Sequence, residues 1–234
     1  MFFIIGKLIR FVFFVFFIYI LFSQTKLIRN YNFNQIIIFY LTFNLIDTLS
    51  QALFREVYRF RPLILSGNFD LVLTKPHHPF LKILLGGVDF LDVFLFIPYI
   101  GLIIYFGLKI PNIHLISVFL YILFIFNSLL ITTAFHIAVL AFGILTTSVD
   151  HIIFIYRDLM SVGRFPIDIY KSPVREIFIF FIPTAVVMTF PAKILLGILT
   201  WPFFLWSFFV SLLSLFLALR LWDFALRKYQ SYGG

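Results

Sequence analysis

Apolar and polar positions along the chain alternate in long blocks rather than in the short periods of a soluble domain. Stretches of about twenty mainly apolar residues match a hydrocarbon thickness of about 30 Å, and they predict spans at approximately 2–22, 35–54, 84–108, 113–140, 175–191 and 201–221. They are too long and too rich in Leu and Phe to be barrel strands of alternating polarity, so the spans are helices. Backbone polar groups are then satisfied within each helix, and irregular chain is confined to connections and protein-lined cavities. One interruption breaks the pattern: RFRPLILSGNFDLVLTKPHHPFLK, from Arg59 to Lys82, is basic and punctuated by proline. No internal repeat or low-complexity linker divides the chain, which reads as a single all-α domain over 1–234 with a polar segment at 55–82.

Composition fixes the class. The chain is 62% hydrophobic and 12% charged, with a mean hydropathy of +1.08, against about 25% charged in soluble domains; it is a polytopic membrane protein. The absence of cysteine excludes disulfides and thiolate metal sites. A net charge of +8 would raise nucleic acid as a partner in a soluble domain, but here it is read for topology, and no nucleic acid is inferred. With the N-terminus in the cytoplasm, 14 of the 18 basic residues fall inside and Lys26, Arg29, Lys109 and Lys193 outside. That bias predicts six transmembrane helices with cytoplasmic N- and C-termini. Dividing Ile113 to Ile155 into two spans at Thr132 and Thr133 would leave 8 basic residues inside and 10 outside, and no Gly, Pro or Asn marks a turn there. One helix reaching about Val149 is therefore expected, on the order of 55 Å long, with Asp150, His151, Arg157 and Asp158 cytoplasmic. Leu21-Phe22-Ser23-Gln24 offers bulky groups where a signal peptidase needs small ones, so the first span is retained.

Within the polar segment, Pro62 suits the first turn of a short helix. Ser66-Gly67-Asn68 supplies a break and a new N-cap, and Asp70 falls in the first turn of a second helix, near its positive dipole end. Phe69, Val72 and Leu73 at i, i+3 and i+4 give that helix one apolar face, Asp70, Thr74 and Lys75 stay polar, and Lys75-Pro76 stops it. On composition alone this is an amphipathic helix lying on lipid headgroups.

Its spelling goes further. GNFDLVLTKPHHP resembles the G-x-[LF]-[DE]-x-L-L-x-x-P element between the second and third spans of type-2 ABC exporter permeases. Gly67, Phe69, Asp70, Val72, Leu73 and Pro76 match position by position, with Val for the first Leu. GRFPIDIYKSPVREIFIFFIPTAVVMTFPAKILLG, from Gly163 to Gly197, and the ending LRKYQSYGG are similar to a six-span bacterial subfamily. That subfamily carries an [AG]-R-[FY]-P-[IL]-x-I-Y motif, matched by Arg164, Pro166, Ile169 and Tyr170, and a Tyr-x-Ser-x-Gly-Gly tail. The similarity covers nearly the whole chain in order. Relatives usually carry a few tens of residues ahead of the first span, including an elbow helix at the membrane surface; here the first span begins almost at Met1, leaving a shortened branch or a start codon set too late.

The resemblance implies a type-2 ABC exporter permease fold, multi-pass in the bacterial cytoplasmic (inner) membrane. It implies that Gly67, Phe69, Asp70, Val72, Leu73 and Pro76 form a coupling helix that meets a separate ABC ATPase subunit, which binds ATP and Mg. It also implies a second permease subunit, identical or a sibling. The chain itself has no G-x-x-x-x-G-K-[ST], and Gly86-Gly87 is not followed by Lys-Ser or Lys-Thr, so it is read as a transport subunit without its own ATPase site. An ATP-independent six-helix channel or scaffold is the alternative. Basic patches at the inner surface suit anionic membrane lipids as further partners.

Asn44, Asp47 and Gln51, at i, i+3 and i+7, share one face of the second span. An ionised carboxylate in mid-membrane is costly unless paired or wetted, so the trio lines a transport path or ties helices together by hydrogen bonds. Asp89 and Asp92 are expected to pair with Arg55 or Arg59. His77 and His78 diverge on any regular element and lack a second pair at ligand spacing, so no metal site is expected. His136 reads as a packed residue. Pro183 and Pro191 either kink the fifth span and start a re-entrant turn or are prolines tolerated in a membrane helix. No arrangement suited to catalysis on a substrate is present.

Overall fold

The computed structural model describes residues 2–76, 78–87, 90–111, 113–146 and 149–231. In chain order the helices are α1 (Phe2–Gln24), α2 (Phe33–Leu53), α3 (Phe60–Leu65), α4 (Asn68–Leu73), α5 (Pro79–Leu85), α6 (Phe90–Val93), α7 (Phe96–Gly107), α8 (Leu115–Thr146), α9 (Val149–Ser161), α10 (Val174–Glu176), α11 (Phe190–Leu195) and α12 (Trp201–Lys228). Among the described residues, four helices are long and apolar enough to cross a membrane: Ile5–Gln24 within α1, then α2, α8 and α12. The stretch 84–108, expected as one span, is split among α5, α6 and α7.

α2 is the centre of the bundle. It opens on a capping box, Asn32 Oδ1 accepting from Gln35 N at 3.0 Å while Gln35 Oε1 accepts from Asn32 N at 2.9 Å, which satisfies two of the donors a helix start leaves bare. Every residue from Ile36 to Ile46 is then buried. α8 and α12 run side by side in the same direction: Phe124 meets Phe204 and Phe208 near their starts, and Ile137 and Leu140 share a cluster with Ala218 and Trp222 further along. The bundle has two ends, one carrying Tyr31 and the other Arg61. α8 spans about 48 Å between them.

The path after α8 differs from expectation. α8 is described to Thr146 and α9 from Val149. At its start, Arg61 Nη1 donates to Asp150 Oδ2 at 3.3 Å, so Asp150 lies at the Arg61 end. The chain then returns along the bundle: the Arg164 guanidinium lies 5.7 Å from the centre of the Phe43 ring, Phe165 lies 5.4 Å from Phe14, and Asp168 accepts from Tyr31 Oη at 2.7 Å and pairs with Lys193 at 2.7 Å. The expected layout puts Asp168 at the opposite face from Tyr31 and Lys193. Their contact rules that out. α9 escaped notice because it is only half apolar: Val149, Ile153, Tyr156 and Met160 are buried on one face, while Asp150, His151 and Asp158 are not.

The stretch 175–191, expected as a fifth span that Pro183 and Pro191 break, is a bent pair. Val174–Phe181 and Ala185–Leu195 meet at 86°, with Pro183 in the bend and Pro191 in the first turn of α11. The pair starts and finishes at the Tyr31 end, where Arg175 and Ile198 border one pocket. Its bend dips into the bundle, where Thr184 Oγ1 donates to Leu159 O at 3.3 Å and Ser128 Oγ to Val187 O at 2.8 Å.

Asp92 also finds a different partner. It is fully buried and pairs with Lys7 Nζ at 2.6 Å, while Arg59 pairs with Glu56 at 3.2 Å. Lys7 approaches because α1 lies against the third membrane stretch, with Phe11 5.4 Å from Tyr99. Asp89 and His77 lie outside the described residues.

The bent pair packs so closely that a side chain is missing where it touches the chain after α9. A Cβ on Gly163 would lie 2.4 Å from Met188 Cβ, whereas a Cβ on Gly101 would meet nothing within 4 Å. Gly163→Ala is therefore expected to destabilise the fold by roughly 1–3 kcal/mol, and Gly101→Ala, in α7, to be neutral or stabilising by up to about 1 kcal/mol. Thermal unfolding of the detergent-solubilised chain checks the contrast; equal melting of both variants would overturn this packing.

Candidate functional site

The polar segment at the Arg61 end folds as the local sequence dictates. Gly67 adopts φ 71°, a left-handed conformation that glycine takes without a Cβ penalty. Its N–H donates to Ile64 O at 3.0 Å and its carbonyl accepts from Asp70 N at 3.1 Å, so one turn ends α3 and starts α4. Asn68 Nδ2 donates to Ser66 Oγ at 2.9 Å across that turn. Once α4 is set in this way, Phe69 and Val72 are buried, Leu73 is half-buried, and Asn68, Leu71, Thr74, Lys75 and Pro76 are exposed.

The buried face is fastened to the bundle. Phe69 meets Phe60 edge-on at 5.2 Å and Tyr229 edge-on at 5.0 Å. These rings join a cluster that also holds Ile144 of α8, Val149 and Ile153 of α9, and Trp222 and Ala225 of α12. Asp70 accepts a hydrogen bond from Ser231 Oγ, beyond the end of α12. Of the six residues singled out in sequence, then, Gly67 makes the turn, Phe69, Val72 and Leu73 anchor the helix, Asp70 holds the tail and Pro76 is exposed. The apolar group turned to solvent is Leu71, 61% exposed. It occupies a variable position of the motif, so spelling gave no signal for it, although helical periodicity places it opposite the anchors.

Lys75, exposed four residues beyond Leu71, adds a cation to that side of the segment. Lys75, by hydrogen bond and by charge, draws the Lys82 ammonium below its usual value, which marks two cations crowded together. Arg59 and Arg61 are exposed nearby despite their carboxylate partners. A cleft of about 150 Å³ lined by Glu56, Arg59, Phe60, Val72, Lys82 and Ile83 opens beside α4.

On α2, Gln51 Nε2 donates to Asp47 Oδ2 at 2.8 Å and Asn44 Nδ2 to Tyr40 O at 2.7 Å. The structure thus brings Asp47 and Gln51 together and leaves Asn44 bonded a turn away. Asn44 and Gln51 are buried, and Asp47 is half-buried. His136 is packed between the rings of Phe54 and Tyr156, its Nδ1 2.8 Å from Thr132 O.

The GRFPIDIY motif lies toward the Tyr31 end and ties separate helices together. Arg164 lies over Phe43 of α2, Pro166 is buried, Ile169 N donates to Pro166 O at 3.1 Å, and Tyr170 Oη donates back to Val162 O at 3.0 Å. Its variable position, Asp168, carries the long-range contacts to Tyr31 and Lys193; no local spacing could have paired three residues so far apart in sequence. Beside them a pocket of about 390 Å³ is lined by Arg29, Asn30, Tyr31, Gln35, Asp168, Arg175 and Ile198.

A model of the family described as ABC-2 family transporter protein matches residues 8–233. The chain belongs to that family. No curated protein and no solved structure matches it.

Burial pushes the Asp168 carboxyl up, but Lys193, by charge and hydrogen bond, and Tyr31 outweigh it and hold the group below the usual carboxylate range. A depressed folded value means that this pairing stabilises fully above the ordinary value near 3.8 and is lost as pH falls through the depressed one. The difference in thermal stability between the native chain and Asp168→Asn is expected to stay level from about pH 8 to about pH 5 and to close below about pH 4. A difference that already shrinks between about pH 7 and pH 6 would contradict this assignment.

Proposed function

We propose from that membership, and from the seating of α4, that this membrane permease is the transport subunit of an ABC exporter. ATP hydrolysis on a separate ABC ATPase subunit, which holds ATP and Mg, drives it. The observation that carries the proposal is the two-sidedness of α4: a solvent-facing edge with Leu71, followed by the exposed Lys75, and a buried edge locked into the cluster shared by α8, α9 and α12. A partner that closes on nucleotide and bears on the first edge displaces the second, and close-packed interiors pass such shifts on rather than absorb them. α4 thus serves as the coupling helix, with Gly67 and Pro76 as its limits.

In this reading the Arg61 end is cytoplasmic. Lys7, Arg10, Arg55, Arg59, Arg61, Lys75, Lys82, Arg220, Arg227 and Lys228 gather there, against Lys26, Arg29, Lys109, Lys171, Arg175 and Lys193 at the other end. The asymmetry has the positive-inside sense. The return of the chain through α9 to Phe165 adds a crossing, and the bent pair, which enters and leaves by one end, removes one; six crossings with both termini cytoplasmic remain, in the bacterial inner membrane. Two permease copies, identical or sibling, face each other across a path to which Asn44, Asp47 and Gln51 contribute polar groups. Asp47 keeps partial exposure on a helix that is otherwise mostly buried, which suits a wetted lining.

Leu71→Glu tests the coupling edge without touching a buried contact. Recovery of the ATPase subunit with the tagged chain is expected to fall about tenfold, equivalent to about 1.4 kcal/mol, while membrane insertion and elution as a folded species stay unchanged. Unaltered recovery together with unaltered permease-stimulated hydrolysis would sink the assignment of α4.

A further inference from the structure

The tail after α12 is a sequence motif that membrane crossing does not require. α12 ends at Lys228, and Tyr229 turns the chain to extended backbone, φ −62° and ψ 132°, its N–H still held by Leu226 O at 3.2 Å. That turn swings the tail across α4. The Tyr229 ring stands edge-on to Phe69 at 5.0 Å and 82°, and Ser231 Oγ donates to Asp70 Oδ2 in the first turn of the helix. From the opposite side Phe60 of α3 meets the same Phe69 ring at 5.2 Å and 89°. Phe69 is therefore clamped between α3 and the tail. α12 approaches again through Trp222, 5.9 Å from Phe80 of α5, so both flanks of the α4 segment are joined to one long helix.

A helix of six residues cannot hold its own direction, because so short a segment barely offsets the cost of nucleation. Left to its backbone bonds, α4 would rock when pushed. We propose that the tail is a strap: Tyr229 and Ser231 are positioning residues that fasten α4 to the end of α12, so that displacement of α4 is delivered to α12. The strap rests on the assignment of α4 as the coupling helix for its purpose, but its mechanical claim stands on the contacts alone. It gives the tail and the Asp70 carboxylate a shared role, with Asp70 facing inward to the tail instead of outward to the motor.

The chain has no cysteine, so spin labels can be placed at will. Thr74→Cys and Arg227→Cys, both at exposed positions, report the distance between α4 and the end of α12 in the full chain in lipid nanodiscs. A narrow distance distribution is expected with the native tail. Tyr229→Ala and Ser231→Ala should each broaden it about twofold, whereas Tyr229→Phe, which keeps the ring, and Ser231→Thr, which keeps the hydroxyl, should leave it narrow. A native width in the Tyr229→Ala, Ser231→Ala double variant overturns the strap. In the complex with the ATPase subunit, Tyr229→Ala is expected to lower permease-stimulated hydrolysis at least fivefold with ATPase recovery unchanged; broadening without that loss overturns the coupling role of the strap. The two claims separate cleanly. If Leu71→Glu leaves motor association intact, the coupling assignment fails, and the label widths still decide whether the tail holds α4.

Discussion

One phenyl ring, Phe69, set edge-on between Phe60 and Tyr229, joins the small solvent-facing helix of this chain to its membrane bundle. The helix that carries it has six residues, so its orientation is fixed by this seat and not by its own backbone bonds. The rest of the Arg61 end is built around the seat. α8 can approach because position 143 is glycine: a Cβ there would lie 2.5 Å from Val149 Cγ2 and 3.4 Å from Phe60 Cδ1. With that gap closed, Phe60, Phe69, Val149 and Trp222 form one packed body. Packing at this density has few voids to take up strain, which is the physical basis for treating α4 as a handle on the helices behind it.

How much of this the sequence disclosed depends on whether a feature is local. α1, α2, α8 and α12 follow from apolar runs of membrane length, and the anchoring face of α4 follows from the spacing of Phe69, Val72 and Leu73, since periodicity states which side is apolar whatever the partner is. The route from α9 to α11 is not local. α9 mixes a buried stripe with Asp150, Arg157 and Asp158, so hydropathy understates it, and counting basic residues then draws 157–175 toward the cytoplasm. Counting over a short stretch cannot see partners that lie far off in sequence. Here Arg175 is paired with Glu176 at 2.7 Å, Lys193 with Asp168 at 2.7 Å, and Arg164 lies over the Phe43 ring, so local partners hold these cations at the end that carries fewer of them. The pairing of Asp92 with Lys7 is likewise not local: a place near the inner interface suggested the arginines Arg55 and Arg59 there, and only the packing of α1 brings Lys7 to it.

The bent pair shows how irregular backbone survives in such surroundings. Breaking a helix frees carbonyls that water would otherwise satisfy, and apolar environments tolerate this only where protein groups replace the water. Those replacements are present as single side chains reaching from neighbouring helices: Ser128 Oγ donates to Val187 O at 2.8 Å and Trp206 Nε1 to Ile179 O at 3.1 Å. Thr184 Oγ1 repays the arrangement by donating to Leu159 O near the end of α9. The two ends of the molecule thus solve different problems. The Arg61 end is a packed aromatic body around Phe69, and the Tyr31 end is a hydrogen-bonded and ion-paired frame, centred on Asp168, that holds a broken segment in place. α2 runs between them, with the polar face of Asn44, Asp47 and Gln51 in its second half.

α1 presents the remaining question, since most of its surface faces outward. Its attachment is a single seam of Lys7, Phe11, Phe14, Ile18 and Phe22, spaced at three and four residues, which meets Asp92, Tyr40 and Phe33. Val12, Phe13, Phe16 and Phe17 are largely exposed, so phenylalanine is abundant on both sides of the helix and cannot by itself specify which side packs. The ion pair can. Removing both charges from water offsets much of their attraction, but leaving Asp92 buried without Lys7 would cost roughly 3–5 kcal/mol. Sliding α1 by one turn, or rotating it so that the outward phenylalanines face in, preserves apolar contact but breaks that pair. The buried charges therefore contribute register more than adhesion, and they do so on the helix whose apolar contacts are least able to define it.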